Sequence, residues 1–342
     1  MLRSFTTFSA AWMDRAVYTR LPWQERQWQH LLQARAQGRL PHALLFSGPK
    51  GVGKEAFALA FSQSSLCPDR DDQGRPCGVC RHCHLLQSGT HPDFQWVRPE
   101  EESKSGEIKI EAIRELTGNA GLTAQSGGHK VIMVQPAHRM NTAAANSLLK
   151  TLEEPSRDTL IILLTDQPSR LLPTIRSRCQ QLSFQIPDRQ TALGWLADKI
   201  RHGKPETLLD LASGAPLLAL TLDNEELLAG RQRMLGQFLG LAQKREDPVS
   251  LAQSWSGFDH YLLWEWLTGW VIDLIRIKAV PNPPQLFNRD QAQALHNLAD
   301  KLNSEILQGY LEQVYEARSR MDGNLNPQLV LEKLLIEWCA CL

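Results

Sequence analysis

The stretch Gly48-Pro-Lys-Gly-Val-Gly53-Lys54 satisfies G-x-x-x-x-G-K. It stands between an apolar run, His42–Gly48 (HALLFSG), and a helical pattern from Lys54 to Leu66. Strand, glycine loop and helix in that order begin a βαβ unit. Glycines let successive backbone N–H groups curl around phosphate oxygens at a helix N-terminus. Gly48, Gly51, Gly53 and Lys54 are therefore candidate phosphate-binding residues, with Lys54 reaching the terminal phosphates.

The rest of the chain's first half extends this unit. Gln24 to Ala36 has helical spacing through Trp28, Leu31, Leu32 and Ala36. Phe94–Val97, Lys130–Gln135 and Leu160–Thr165 read as strands, and Ile110–Leu116 and the run NTAAANSLLKTLEEP as helices. Apolar strands alternating with helices predict an α/β fold with a parallel sheet covered on both faces. From Asp188 onward strand signals vanish. Ala192–Ile200 and Glu206–Leu211 read as short helices, and Leu227 to the end as helix with breaks at Pro281–Pro284 and Asp322–Pro327.

Two features argue against hydrolysis at the glycine loop. After Lys54 a Ser or Thr would offer Mg²⁺ its hydroxyl, but the chain has Glu55. At the tip of the strand Val131–Val134 a metal-holding acid is required, and the chain offers Gln135 and Pro136. No anionic group is expected beside the loop to grip magnesium. Nucleotide binding stays open, and hydrolysis is not expected.

Cys67, Cys77, Cys80 and Cys83 crowd into seventeen residues, whereas Cys179, Cys339 and Cys341 lie elsewhere and read as packing residues. Four thiolates at this spacing suit a closed, structural, tetrahedral Zn²⁺ site. An iron–sulfur cluster and free structural cysteines are the alternatives. His82 and His84 in the same knuckle read as facing solvent.

Charge narrows the class of partner. The whole chain is formally neutral, which disfavours binding to a polyanion through bulk charge. Residues 1–185 nevertheless carry a net +5 and residues 186–342 a net −5, so any polyanion contact belongs to the first part. The longest apolar runs fall far short of a membrane span. Residues 1–20 lack a signal-peptide core and read as an N-terminal extension, with an organellar transit peptide as the alternative. A cytoplasmic location is expected.

At this level of detail the chain resembles the AAA+ clamp-loader subunits of bacterial DNA polymerase III. The resemblance rests on the four-cysteine insert behind the loop helix, GTHPDF (Gly89–Phe94) and IKIEAIREL (Ile108–Leu116). It continues with AANSLLKTLEEP (Ala144–Pro155), TIRSRC (Thr174–Cys179) and NLNPQLVLE (Asn324–Glu332). It implies three pieces: an AAA+ domain over residues 21–185 with the zinc insert at 67–83, a helical lid at 186–223, and a helical collar for oligomerisation at 224–342. It also implies that Arg178, in the SRC motif, acts as a trans arginine finger on a neighbour's ATP. The plain alternative is a surface arginine holding a carboxylate, with Arg176 as its control. Thr165 falls at the family's first sensor, and Leu217 replaces the lid arginine of active members.

The resemblance further implies a non-hydrolysing subunit in a hetero-oligomeric ring with ATPase subunits and delta, helping to load the sliding clamp on primed DNA. The rivals are an active motor subunit of the same fold and a stand-alone zinc-bearing DNA-binding protein. Trp255, Trp264, Trp266 and Trp270 belong to the core or to an interface.

Overall fold

The computed structural model describes residues 21–100, 106–120, 129–155, 158–320 and 326–341. The extension expected at 1–20 lies outside them, as does most of the break expected at Asp322–Pro327. The chain forms two compact units, dividing between Thr191 and Ala192.

The first unit is built on five parallel strands, β1 (Ala43–Ser47), β2 (Phe94–Val97), β3 (Lys130–Val134), β4 (Thr159–Thr165) and β5 (Gln180–Ser183), in spatial order β2-β3-β4-β1-β5. The sequence reading missed β5, which is short, polar and largely exposed and so carries no apolar signature. Every position of β3 and β4 is buried, as expected for a sheet covered on both faces.

Side chains alternate across β1. Ala43 and Leu45 join Ile132, Val134, Ile161 and Leu163 against helices α4 (Ile110–Ala120) and α5 (Thr142–Glu153). On the other side, Phe46 meets Phe57 and Phe184 edge-on or tilted, and Phe57 and Phe61 both meet Trp28 edge-on. Trp28 comes from α1 (Glu25–Ala36), and the two phenylalanines from α2 (Lys54–Leu66). Between α2 and β2 the cysteine insert contributes α3 (Arg81–Gln87), which the sequence reading did not anticipate.

The second unit is helical. It contains the end of α7 (Arg189–Leu196), then α8 (Pro205–Leu211), α9 (Pro216–Leu222), α10 (Glu225–Leu241), α11 (Pro248–Trp255), α12 (His260–Ala279), α13 (Ala292–Ala299), α14 (Ser304–Arg320) and α15 (Pro327–Ala340). Asn224, Asp247, Asp259 and Asn326 cap four of these helices through their side chains. One apolar core runs from Leu196 and Leu208 through Phe238 and Trp270 to Trp338. Residues on both sides of the expected lid–collar boundary, Ala192 to Leu222 and Leu227 to Trp338, therefore contribute to that core. Trp255, Trp264, Trp266 and Trp270 are all buried in it. Among the described residues no helix is long and apolar enough to cross a membrane.

Gly48 locks the start of the glycine loop to β5. Its φ is +151°, and a Cβ there would stand 2.0 Å from the carbonyl oxygen of Phe184. Gly38 also has positive φ (+66°), but with open space around it. Gly48→Ala is expected to cost about 2–4 kcal/mol of stability and Gly38→Ala about 1 kcal/mol, read from urea denaturation midpoints. Equal losses would show that backbone strain alone, and not the Phe184 contact, sets the cost.

Candidate functional site: a glycine loop, a thiolate cluster and an anchored arginine

Parallel pairing aligns the strand ends. Ser47 of β1 stands level with Thr165 of β4 and Ser183 of β5, so the loop begins where three carboxyl ends converge. That edge is where open α/β sheets bind ligands. Gly51 and Gly53 take φ of 75° and 88°, and Gly53 caps α2, whose first residue is Lys54. The candidate residues Gly48, Gly51, Gly53 and Lys54 are thus brought together as the motif requires.

Several polar groups around the loop bond within the chain. Lys54 Nζ donates to the loop's own carbonyls, Gly48 at 2.7 Å and Pro49 at 2.8 Å. Gln135 Nε2 donates to Glu55 Oε2 at 2.7 Å. Side chains at the hydroxyl-ligand position and the acid position, which would both face Mg²⁺ in a working ATPase, therefore bond directly. Thr165 is buried; its Oγ1 lies 3.0 Å from His138 Nδ1 and accepts the Gln167 N–H at 3.0 Å. Leu217, where a lid arginine was expected to be missing, is a buried apolar side chain.

One expectation is corrected. A carboxylate does stand beside the loop: Asp166, next after Thr165 on β4, lies 4.0 Å from Lys50 Nζ and 3.3 Å from His138 Nδ1. The parallel register sets Thr165, the residue before it, level with Ser47, and Gly48 N–H donates to the Thr165 carbonyl, a placement that reading only the β3 tip could not find. The Lys54 ammonium is pushed down to about 8, chiefly by burial; Asp166 pulls it upward, Lys50 pushes it further down, and Glu55 raises it. Burial likewise lowers His138, opposed by Asp166 and reinforced by Arg139, Arg170 and Lys50.

The cysteines form a second centre. Cys67, at the C-cap of α2, lies with its Sγ 3.6 Å from that of Cys77 and 3.8 Å from that of Cys80, and Cys77 Sγ is 4.0 Å from Cys83 Sγ. All four sulfurs fall within 4.8 Å of one another, close enough to hold a metal ion. Backbone N–H groups of Cys77 and Cys80 donate to Cys67 Sγ and Cys77 Sγ at 3.4 and 3.3 Å. His82, expected to face solvent, is half-buried, with Nδ1 3.0 Å from His91 Nε2, while His84 is exposed. Cys179 is buried in the first unit's core, and Cys339 and Cys341 pack against that of the second.

Arg178 sits just past the turn α6 (Pro173–Arg176). Its Nε and Nη2 donate to Glu153 Oε1 at 2.9 and 2.6 Å, and its Nη1 to the Thr174 carbonyl at 3.0 Å. The plain alternative is met in part, because this arginine does hold a carboxylate. Sequence reasoning named Arg178 and missed Glu153, although the second sits in the LEEP run that it singled out.

The Lys54 shift carries a pH signature. The folded chain holds this proton less tightly than the unfolded one, whose lysine keeps its ordinary 10.5, so the unfolded chain binds more protons between about pH 8 and 10.5. Lys54 thus weakens the fold below about pH 8, and the penalty is relieved as pH rises toward 10.5. The stability of Lys54→Met relative to the native chain is expected to fall from about pH 8 to pH 10.5 in urea titrations. A difference independent of pH would mean that Lys54 is solvated like a surface lysine.

Comparison with known proteins identifies the family of the chain. The family described as DNA polymerase III, delta subunit, matches residues 23–188, and that described as DNA polymerase III, delta subunit, C terminal, matches residues 225–339. DNA polymerase III subunit delta' of Pseudomonas aeruginosa is 36% identical over 93% of this chain and 97% of that protein. The proteins of the same name from Escherichia coli and Bacillus subtilis are 33% and 31% identical, each over 92% of this chain and over 94% and 95% of their own lengths. With both halves matched and identity sustained along nearly the full length, the chain belongs to the DNA polymerase III delta' family.

Proposed function

We propose that this chain is a non-hydrolysing subunit of a DNA polymerase III clamp loader. It lends Arg178 to the ATP site of a neighbouring subunit and helps place the sliding clamp on primed DNA. The observation that carries the reading is the Glu55–Gln135 hydrogen bond, which joins the two positions that would otherwise hold Mg²⁺. Lys54 bound to its own loop and Thr165 engaged by His138 support it, since both groups are occupied within the chain. In this reading residues 186–223 are the lid and 224–342 the collar that meets the ATPase subunits and delta, in the cytoplasm.

Arg178 suits the donor role for chemical reasons. A guanidinium is always charged, planar and able to grip a phosphoryl group with two N–H groups. In a reconstituted assembly, Arg178→Ala is expected to reduce DNA-dependent ATP turnover by about 10³ while the assembly still forms on size exclusion. The isolated native chain is expected to show no magnesium-dependent turnover. Brisk hydrolysis by the chain alone would sink the reading.

The four thiolates are proposed to hold a structural Zn²⁺. At a Zn–S distance of about 2.3 Å a tetrahedron has edges of about 3.8 Å, close to three of the sulfur separations, 3.6, 3.8 and 4.0 Å, with all four sulfurs within 4.8 Å of one another. Sulfurs this close leave no room between them for an iron–sulfur cluster, which argues for one ion. The ion would supply folding free energy to the insert and no chemistry to the loop. Native protein is expected to carry one zinc per chain by elemental analysis. Cys80→Ser is expected to lose most of it and to expose the 67–87 segment to proteolysis.

A further inference from the structure

Arg178 and Glu153 are more than a chance surface pair. Their side chains are 36% and 51% exposed, and an isolated pair at such a position contributes little stability. The geometry is nevertheless specific. Nε and Nη2 converge on one carboxylate oxygen from the side, and Nη1 is held by the Thr174 carbonyl. Three of the five guanidinium N–H groups are used in this way. Among the described residues the other two, one on each terminal nitrogen, remain for a second anion. Arg176, two residues earlier, has no such anchorage among the described residues. The two anchors come from different elements: Glu153 ends α5, and Thr174 lies inside the α6 turn. The guanidinium is thereby fixed relative to the sheet on which both elements pack, through Leu148, Leu152 and Ile175 in the core.

We infer that Glu153 is a positioning residue for Arg178, an inference that rests on the trans-finger reading above. Through Oε1 it holds the guanidinium in the pose that meets a phosphoryl group bound on a neighbouring subunit. A free arginine loses rotamer freedom when it engages phosphate, and an arginine already held on two sides loses less. The role is one of hydrogen-bond geometry rather than charge. A carboxylate beside the finger weakens its net positive charge, so an electrostatic contribution from Glu153 would run against the phosphoryl group and not with it.

The discriminating experiment uses the reconstituted assembly and ATP, with kcat and KM measured for native chain, Glu153→Ala, Glu153→Gln, Arg178→Ala and the double Ala variant. Glu153→Ala is expected to lower kcat about fivefold to tenfold with KM for ATP unchanged. That split marks an interaction made in the transition state and not in the ground state. Glu153→Gln, which keeps an oxygen acceptor at the same place, is expected to stay within about twofold of native. In the Arg178→Ala background, Glu153→Ala is expected to change nothing, because its target is gone. A surface pair of this kind leaves the fold intact, which the unchanged urea midpoint of Glu153→Ala checks.

The inference is overturned if Glu153→Ala leaves turnover as it was, raises it, moves only KM, or adds its full effect to Arg178→Ala. It is also overturned if Glu153→Gln is as defective as Glu153→Ala. If Arg178→Ala itself is without effect, the finger reading fails first and Glu153 loses its role with it. Loss of activity in Arg178→Ala together with an additive Glu153→Ala leaves the finger standing and removes only the positioning.

Discussion

Parallel hydrogen bonding of β1 to β4 on one side and to β5 on the other fixes the first unit's functional edge. It sets Ser47 level with Thr165 and Ser183, so whatever follows each strand emerges at one place. The glycine loop follows β1, Asp166 follows β4, and Phe184 follows β5. β1 and β4 are buried on both faces, so a register slip would exchange the side chains packed on one face for those fitted to the other, which makes this alignment costly to change. The closeness of Gly48 to the Phe184 carbonyl is a consequence of that alignment, and only a residue without Cβ fits there.

Given that edge, the electrostatics of the loop follow from which groups are already paired. A phosphate loop binds anions because its N–H groups, the N-terminus of its helix and its lysine together present uncompensated positive potential. In this chain Glu55 stands in the first turn of α2, where a carboxylate interacts favourably with the helix terminus and partly cancels that potential. Gln135 then supplies Glu55 with a partner from β3. Asp166 faces Lys50 and His138 across the same edge. The fold has the shape of a phosphate loop, with two carboxylates, Glu55 and Asp166, standing beside it.

Much of this was legible in the sequence, for reasons that differ by element. The strands at 130–134 and 159–165 are uninterrupted apolar runs, and the loop announces itself by its glycines, so central elements and the phosphate cradle could be placed from pattern alone. The thiolate cluster was legible because its ligands are close in the chain and their spacing limits the geometry. β5 was not, since four polar, exposed residues at a sheet edge carry no periodic signal. Asp166 and Glu153 were missed for another reason. Each acts on a residue distant in sequence, Lys50 and Arg178, through a register or a helix end that exists only once the sheet is assembled. Local pattern reports the elements, and long-range partners depend on how those elements stack.

The cysteine insert makes sense as part of the same frame. Helix α2 carries the phosphate loop at one end and Cys67 at the other, about 20 Å apart along thirteen residues. The insert folds back on α1: Trp28 Nε1 donates to the Gln73 carbonyl at 2.9 Å, and a Cβ on Gly74 would stand 2.4 Å from a methyl carbon of Leu32. At the opposite end, Gln24 and Trp23, just before α1, donate to the carbonyls of Val52 and Gly53. The two helices are thus tied to each other at both ends, by side-chain hydrogen bonds at the loop and by the insert at the far side. An ion held by the four sulfurs would close the second tie, because it would fix Cys67 relative to the turn that reaches α1.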